Sequence, residues 1–479
     1  MNMVTDHNSC ELLNGPVPDR ADYTRRLTEF WSKLAPNSVA VLVAYPERTR
    51  SQDTEHTYRP SSDILYLNGF PEPESVLVVC KLKGGARQRS IMFVRPKDRS
   101  QEIWTGIREG VEGVKKNYGA DAAYTVDQLE AILRDLIGKA ENVYYRFGIN
   151  PEFDEKFRKV WEPSQKQLIN PETILHEMRL FKSANELDLI RHACRVSAEA
   201  HRQGMQNTAP GITEGQLQSA IEYAFGLHGA REVAYGTIVA NGNHACVLHY
   251  TENDGMLIDG DLVLVDAGGE YHGYASDITR TWPVNGKFTS AQRDIYQVVL
   301  DAQVAAIKVA RPGVPLIAVH RTAARVMRAG LKKLGVLPAT STAASDRKIV
   351  KAKAAAKNSL KGAADKATYP LTLWDFFMHG TSHWMGLDVH DVGSYDAPTG
   401  GVNNNRNKST KQRKLQPGMV FTVEPGLYLE KSDTRVPAKY RGIGIRIEDD
   451  VAITESGCEV LTREVPKTIA DIEALMASR

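Results

Sequence analysis

In DLVLVDAGGEYHGYASDITRTW (261–282), two strand-like runs flank a glycine-rich connection. The pattern reads as a hairpin with Asp266 and Asp277 placed symmetrically about its centre. In an antiparallel hairpin the two carboxylates can fall opposite each other on one face, where like charges repel unless a cation neutralises them. Taken alone, such a pair more often caps a turn or faces water. A second segment, RGIGIRIEDD, alternates Ile443, Ile445 and Ile447 with Gly444, Arg446 and Glu448. Strand period two puts Arg446 and Glu448 together, away from the isoleucines. A surface ion pair on a half-exposed strand fits that pattern equally well. In a third, MVFTVEPGLY, Glu424 finishes an apolar run just before Pro425 and Gly426. A glutamate there is costly to bury unless paired or coordinated, although the turn could carry it into solvent. A fourth, FFMHGTSHWMGLDVHDVG, holds His379, His383 and His390 among apolar neighbours Phe376, Phe377, Trp384 and Leu387. Three histidines beside glycines suggest a lined pocket. His192 and His201, on a separate helical stretch, read as ordinary surface residues.

Together these segments offer four carboxylates and at least one imidazole. Such an oxygen-rich set suits hard or borderline divalent cations such as Mn2+ better than thiolate-binding metals. It also exceeds what one catalytic zinc ordinarily takes. Two cations sharing bridging carboxylates fit the count; such pairs sit roughly 3.5–4 Å apart, activate water and polarise a carbonyl.

Those segments must be held by a scaffold. The 479 residues are too many for one ordinary core, so two domains are expected. In the first part, Ala21 to Ala35 reads as a helix with Leu27, Phe30, Trp31 and Leu34 on one face. Strands are expected at 39–45, 75–82 and 89–96, the middle one buried on both sides. A second helix is expected at 126–137. This gives a small α/β domain at 1–172. The remainder, 173–479, reads as α+β, a curved antiparallel sheet covered by helices. Capping boxes mark helix starts at Ser183 with Glu186, Thr213 with Gln216 and Thr289 with Gln292. Two polar, basic stretches, about 339–368 and 400–414, lack the apolar residues to pack firmly and read as exposed, weakly docked insertions.

Composition narrows the class. Hydrophobic residues make up 42% and charged residues 25%, and the net charge is +2, which gives no reason to expect nucleic acid or a membrane surface as partner. No run of 18 apolar residues exists, and the N-terminus has no basic segment followed by an apolar one. The five cysteines form no CxxC pair; Cys80 and Cys194 read as core residues. A reducing cytoplasmic location is the default expectation.

The segments DAGGEYHGYASDITRTWP, HGTSHWMGLDVHDVG, TVEPGLY and GIRIEDD, in this order, resemble the pita-bread metallopeptidases. LHYTEND (248–254), YRPSSDILYLNGF (58–70), RPKDRSQEIWTG (95–106) and VPKTIADIEALM (465–476) extend the resemblance to proline-specific aminopeptidase P. It implies a C-terminal pita-bread catalytic domain behind a smaller N-terminal α/β domain. It implies cleavage of the bond before proline at the second position of a peptide. The implied metal ligands are Asp266, Asp277, His383, Glu424 and Glu448, with Asp277 and Glu448 bridging. Glu424 would also move a proton to the departing nitrogen. His249 and His390 would bind substrate and stabilise the transition state, His379 would lie near the proline pocket, and Arg446 would support the carboxylates. Tyr235 and Tyr428 would line the same cavity. A homo-oligomer, dimer or tetramer, is implied, with Trp104 of the EIWTG motif approaching another subunit's site. A prolidase, accepting only dipeptides, shares this fold and ligand set. A pita-bread binding protein without catalysis would typically have lost ligands, and here all five stand. A methionine aminopeptidase would lack the long N-terminal domain, and a creatinase-type hydrolase would not need the metal carboxylates.

Overall fold

The computed structural model describes residues 14–83, 89–357, 370–397 and 412–478. The chain forms two compact units. Pro18–Arg179 is one; Leu180–Arg479, joined by the segment before Pro18, is the other. Among the described residues no helix is long and apolar enough to cross a membrane.

The first unit is built on a six-stranded mixed sheet. Ser38–Val43 and Ser90–Val94 flank Val76–Lys81 antiparallel, and Ala122–Thr125, Asn142–Tyr144 and Gln167–Ile169 extend the sheet with parallel pairings. The central strands bury both faces, which is why their residues are apolar without alternation. Asp19 caps the helix Arg20–Lys33, which turns Phe30 inward. Leu27 and Trp31 of the expected apolar face are only partly buried. Trp31 spends its Nε1–H on the carbonyl of Cys80, 2.8 Å away.

In the second unit, all three capping boxes are present and start Ala184–Asn207, Glu214–Leu227 and Ser290–Val309. The strands are short and antiparallel, and those that carry the core are fully buried. Leu262–Asp266 lies between Ile238–Asn241 and Thr279–Pro283; Val420–Val423 pairs with Asp449–Ile453; Gly426–Leu429 pairs with Ile443–Arg446. One apolar cluster, including Trp282, Tyr296 and Trp384, joins helices and strands.

Three expectations need correction. His192 and His201 are not surface residues: both are completely buried on the inward face of Ala184–Asn207. His201 Nδ1 donates to the Ser197 carbonyl at 3.0 Å, and burial pushes its pKa down to about 4. It stands seven residues after Cys194, so the apolar stripe already passed through it. The hairpin aspartates are not cross-strand partners either. Asp266 faces Thr279, and Asp277 lies two residues further back. The register is set by the turn: Tyr271 pairs with Tyr274 across His272 and Gly273, both at positive φ, so the hairpin is centred one position beyond the midpoint of the two aspartates, and the same register runs through to Asp266 and Thr279. Finally, the start of the 339–368 stretch is firmly attached. It forms the helix Ala343–Lys357, and its Asp346, 1% exposed, accepts hydrogen bonds from Arg328, Ser341 and the Leu373 N–H. The attachment is polar, so a search for apolar residues could not find it. Residues 358–369 and 398–411 of the two stretches lie outside the described residues; Arg413, just beyond, is buried.

Candidate metal centre and active site

The site grows from strand ends. Leu262–Asp266 finishes on Asp266, and its partner strand presents Thr279 opposite. Period two puts Asp277 on the Thr279 face, so the corrected register still aims both aspartates the same way. Tyr235 marks the point of convergence: its hydroxyl lies 2.6 Å from Asp266 Oδ1 and 2.7 Å from Asp277 Oδ1. Thr279 Oγ1 donates to Glu448 Oε2 at 2.6 Å, and the Glu448 N–H donates to the Thr279 carbonyl at 3.0 Å. This brings the segment after Ile443–Arg446 against the hairpin.

Arg446 and Glu448 do share a face, and it is an interior one. Arg446 donates from Nη2 to Asp266 Oδ2 at 2.5 Å, from Nε to Thr279 Oγ1 at 3.0 Å and from Nη1 to the Tyr428 oxygen at 3.0 Å. The Tyr428 hydroxyl in turn lies 2.8 Å from His379 Nε2, and His379 Nδ1 donates to the Gly380 carbonyl at 2.6 Å. Burial, and then the Arg446 charge, push His379 down to about 3, so it is a neutral ring. Tyr428 is 1% exposed and acts on His379 and Arg446.

Glu424 follows Val420–Val423 directly, as its apolar run suggested. His383 Nε2 lies 3.3 Å from Asp277 Oδ2 and 3.6 Å from Glu424 Oε1. Its Nδ1 donates to the Trp384 carbonyl at 3.0 Å, which fixes the ring and turns Nε2 to the carboxylates. The His390 ring lies tilted against it, centroids 4.0 Å apart, and His390 is itself exposed. His249 is exposed as well, and its charge adds to the burial that lowers both His379 and His390. Trp104 is in the other unit, on Arg99–Thr105, 84% exposed beside exposed Ile103 and Ile107.

Asp277, His383 and Glu448 each offer one ligand atom within 4.8 Å of the others. Burial raises Asp266 against the pull of Arg446, raises Glu424 to about 7, and, with Asp277 and Glu424 nearby, raises Glu448 well above the carboxylate range. Burial opposes charging His383, yet Asp277 and Glu424 outweigh it and hold the ring protonated up to about 9. Four carboxylates thus converge where Arg446 and a protonated His383 supply the positive charge. Divalent cations neutralise such an oxygen-rich donor set, so the residues fit a metal pair.

Sequence reasoning missed several supports. Thr279 links Glu448 to Arg446, and Thr422 hydrogen-bonds Glu424 at 3.3 Å; each stands two residues from a carboxylate on the same strand period. Asp450, fully buried, accepts the Asp277 N–H at 2.9 Å and contacts the Cys194 thiol at 3.3 Å. Nothing local in the sequence marks that contact.

The chain is similar to known proteins along most of its length. The profile of metallopeptidase family M24 matches residues 188–455, and that of the aminopeptidase P N-terminal domain matches 23–144. The chain is 42% identical to the Xaa-Pro aminopeptidase of Escherichia coli, covering 96% of this chain and 98% of that one. A Pseudomonas aeruginosa aminopeptidase structure superposes with a TM-score of 0.85 at 42% identity, covering 97% and 99%. A zinc-substituted E. coli aminopeptidase P in complex with product superposes with a TM-score of 0.84 at 41% identity, covering 96% and 99%. The fold is therefore the expected one, a pita-bread domain with a smaller N-terminal α/β domain, and the chain belongs to metallopeptidase family M24, in its aminopeptidase P group.

Proposed function

We propose that this chain is a metal-dependent aminopeptidase that removes the N-terminal residue from peptides with proline in second position. The observation that carries the reading is the convergence of Asp266, Asp277, His383, Glu424 and Glu448 in one carboxylate-rich cluster, in a chain so similar to Xaa-Pro aminopeptidases over its whole length. These five residues would hold the two ions, with Asp277 and Glu448 the ones that would serve both. The oxygen-rich donor set favours Mn2+. Bound ions of this kind polarise the scissile carbonyl and lower the pKa of water.

The protein's own groups do the rest. Glu424 is assigned to carry a proton to the departing proline nitrogen, which cannot leave as an amide anion. His390 and His249, both exposed, are placed to donate to the substrate carbonyl as charge develops on it. His379, kept neutral by burial and by the Arg446 charge, offers an uncharged wall for the proline ring. Tyr235 orients Asp266 and Asp277 beneath the substrate.

The exposed apolar group Ile103, Trp104 and Ile107 supports association with further copies of the chain, Trp104 reaching a neighbouring site. Cys80, Cys194, Cys246 and Cys458 are free thiols, in keeping with a cytoplasmic setting. Hydrolysis of a Xaa-Pro-Xaa tripeptide, lost with chelator and restored by Mn2+, tests the reading. A Xaa-Pro dipeptide cleaved in preference to the tripeptide would make the enzyme a prolidase instead.

A further inference from the structure

His249 is exposed on the long connection between Ile238–Asn241 and Leu262–Asp266. An exposed histidine on a loop needs something to hold its backbone if it is to meet substrate in one place. That something is a carboxylate on the opposite side of the loop. Glu214, the first residue of Glu214–Leu227, is completely buried. Its Oε1 accepts from the Asn241 N–H at 2.7 Å and from His244 Nδ1 at 2.9 Å. Its Oε2 accepts from the Gly255 N–H at 2.7 Å and shares the Tyr250 hydroxyl, 3.0 Å away, with Asp254 Oδ1 at the same distance. One side chain thus ties the loop where it leaves its strand, where it returns, and at the residue next to His249.

The fit is selective. Three N–H donors and the hydroxyl shared with Asp254 converge on two oxygens, and a group that accepts at every lone pair satisfies them. A carboxamide would turn its NH2 against two donors at one end. The Glu214 N–H also donates to the Gly255 carbonyl at 2.8 Å. A Cβ added to Gly255 would lie 2.8 Å from Glu214 Oε2, so the loop closes on the carboxylate only because that residue is glycine. Asn253 supplies a second anchor. In a left-handed conformation (φ 48°), its side chain accepts from the Val239 N–H at 2.9 Å and donates to the Thr237 carbonyl and to Gln218 at 2.8 Å. It thereby fastens the loop to the strand edge.

We propose that Glu214 is the positioning residue of His249: by gathering Asn241, His244, Tyr250 and Gly255 it fixes the loop on which His249 meets the substrate. The proposal rests on the assignment of His249 to the substrate given above.

The test compares Glu214→Gln, His249→Ala and their double variant on a Xaa-Pro tripeptide, with bound metal measured in each. Glu214→Gln should lower kcat about 10²-fold, the cost of a misplaced group, with metal content unchanged. Adding His249→Ala should then cost less than about threefold more, because the histidine is already out of place. Losses that multiply in the double variant would overturn the proposal. Amide hydrogen exchange, which needs no activity, decides the same point separately. Faster exchange confined to 241–255 in Glu214→Gln is expected, and exchange at the wild-type rate there would refute the clamp. Should Glu214→Gln not fold, Tyr250→Phe removes a single donor and should still speed exchange in 241–255. Wild-type exchange in that variant would count against the clamp. A wild-type chain that cleaves no Xaa-Pro peptide would sink the functional reading, while exchange would still judge the loop anchor.

Discussion

Arg280 is the side chain whose replacement tests the architecture of the site most directly. It lies on Thr279–Pro283 and is completely buried. Its guanidinium donates to the carbonyls of Thr279 at 3.0 Å, Val465 at 3.2 Å and Pro466 at 3.1 Å, and also to that of Glu448. It pairs with Asp449 Oδ1 at 2.7 Å, both side chains 0% exposed. Arg280→Met keeps the aliphatic stem and removes every donor. Breaking a buried pair by deleting one partner costs about 3–5 kcal/mol. Asp449 keeps Lys467 at 2.5 Å, Gln303 at 2.6 Å and Thr462 at 2.8 Å, and the Thr279 carbonyl keeps the Glu448 N–H. The low end therefore applies, about 3 kcal/mol, or a fall in Tm on the order of 5–10 °C.

The assay is thermal unfolding of chelator-treated protein, so that metal binding does not add its own stabilisation. Arg134→Met is the control. Its ion pair with Glu130 is 52% and 62% exposed, and its loss should cost under about 0.5 kcal/mol. Arg280→Lys separates charge from shape: a point charge can still answer Asp449 but cannot span several carbonyls. That variant should recover part of the stability while metal affinity stays about 10–100-fold low, because Thr279 and Glu448 lose their shared support. An Arg280→Met protein within about 1 kcal/mol of wild type would refute the reasoning.

Glu448→Ala should abolish hydrolysis and leave fewer than two ions bound by elemental analysis; full activity with two ions would remove Glu448 from the ligand set. His390→Ala should lower kcat by about 10²-fold or more at wild-type metal content, and loss of metal would show that the ring is a ligand. Trp104→Ala should raise KM for longer peptides and weaken self-association in sedimentation; a fully active monomer in dilute solution would rule out a shared site. Asp346→Ala removes the acceptor for Arg328, Ser341 and the Leu373 N–H, and should destabilise the unit by about 1–3 kcal/mol in chemical unfolding. A change within about 0.3 kcal/mol would mean the insertion is docked by something else.

What the sequence disclosed depended on range. The capping boxes were legible because donor and acceptor stand three residues apart, at Ser183, Thr213 and Thr289. Period two was enough to place Arg446 and Glu448 on one face. Register was misjudged because the centre of the hairpin was taken midway between the two aspartates, while the positive-φ pair His272 and Gly273 makes the turn one position later and sets Asp266 against Thr279. His192 and His201 were misplaced for the opposite reason: a polar name outweighed a position on a buried stripe. Asp346 escaped because docking was sought in apolar residues, and the contact is a carboxylate meeting three donors.

The ligand cluster itself lies beyond any local rule. Arg446 meets Asp266 across 180 positions of chain, and Thr279 meets Glu448 across 169. Resemblance to a family carried that knowledge, and the physics explains why the arrangement endures. Each carboxylate ends or follows a short buried strand, so the core that fixes its backbone also withdraws it from water. Withdrawal alone destabilises the fold, as the raised Asp266, Glu424 and Glu448 show. A cation that binds only the folded chain reverses that cost, which couples the stability of the site to the ions it is proposed to use. The same burial that makes clustered carboxylates unfavourable makes their charge available to a metal, and local stability is given up where the chemistry needs it.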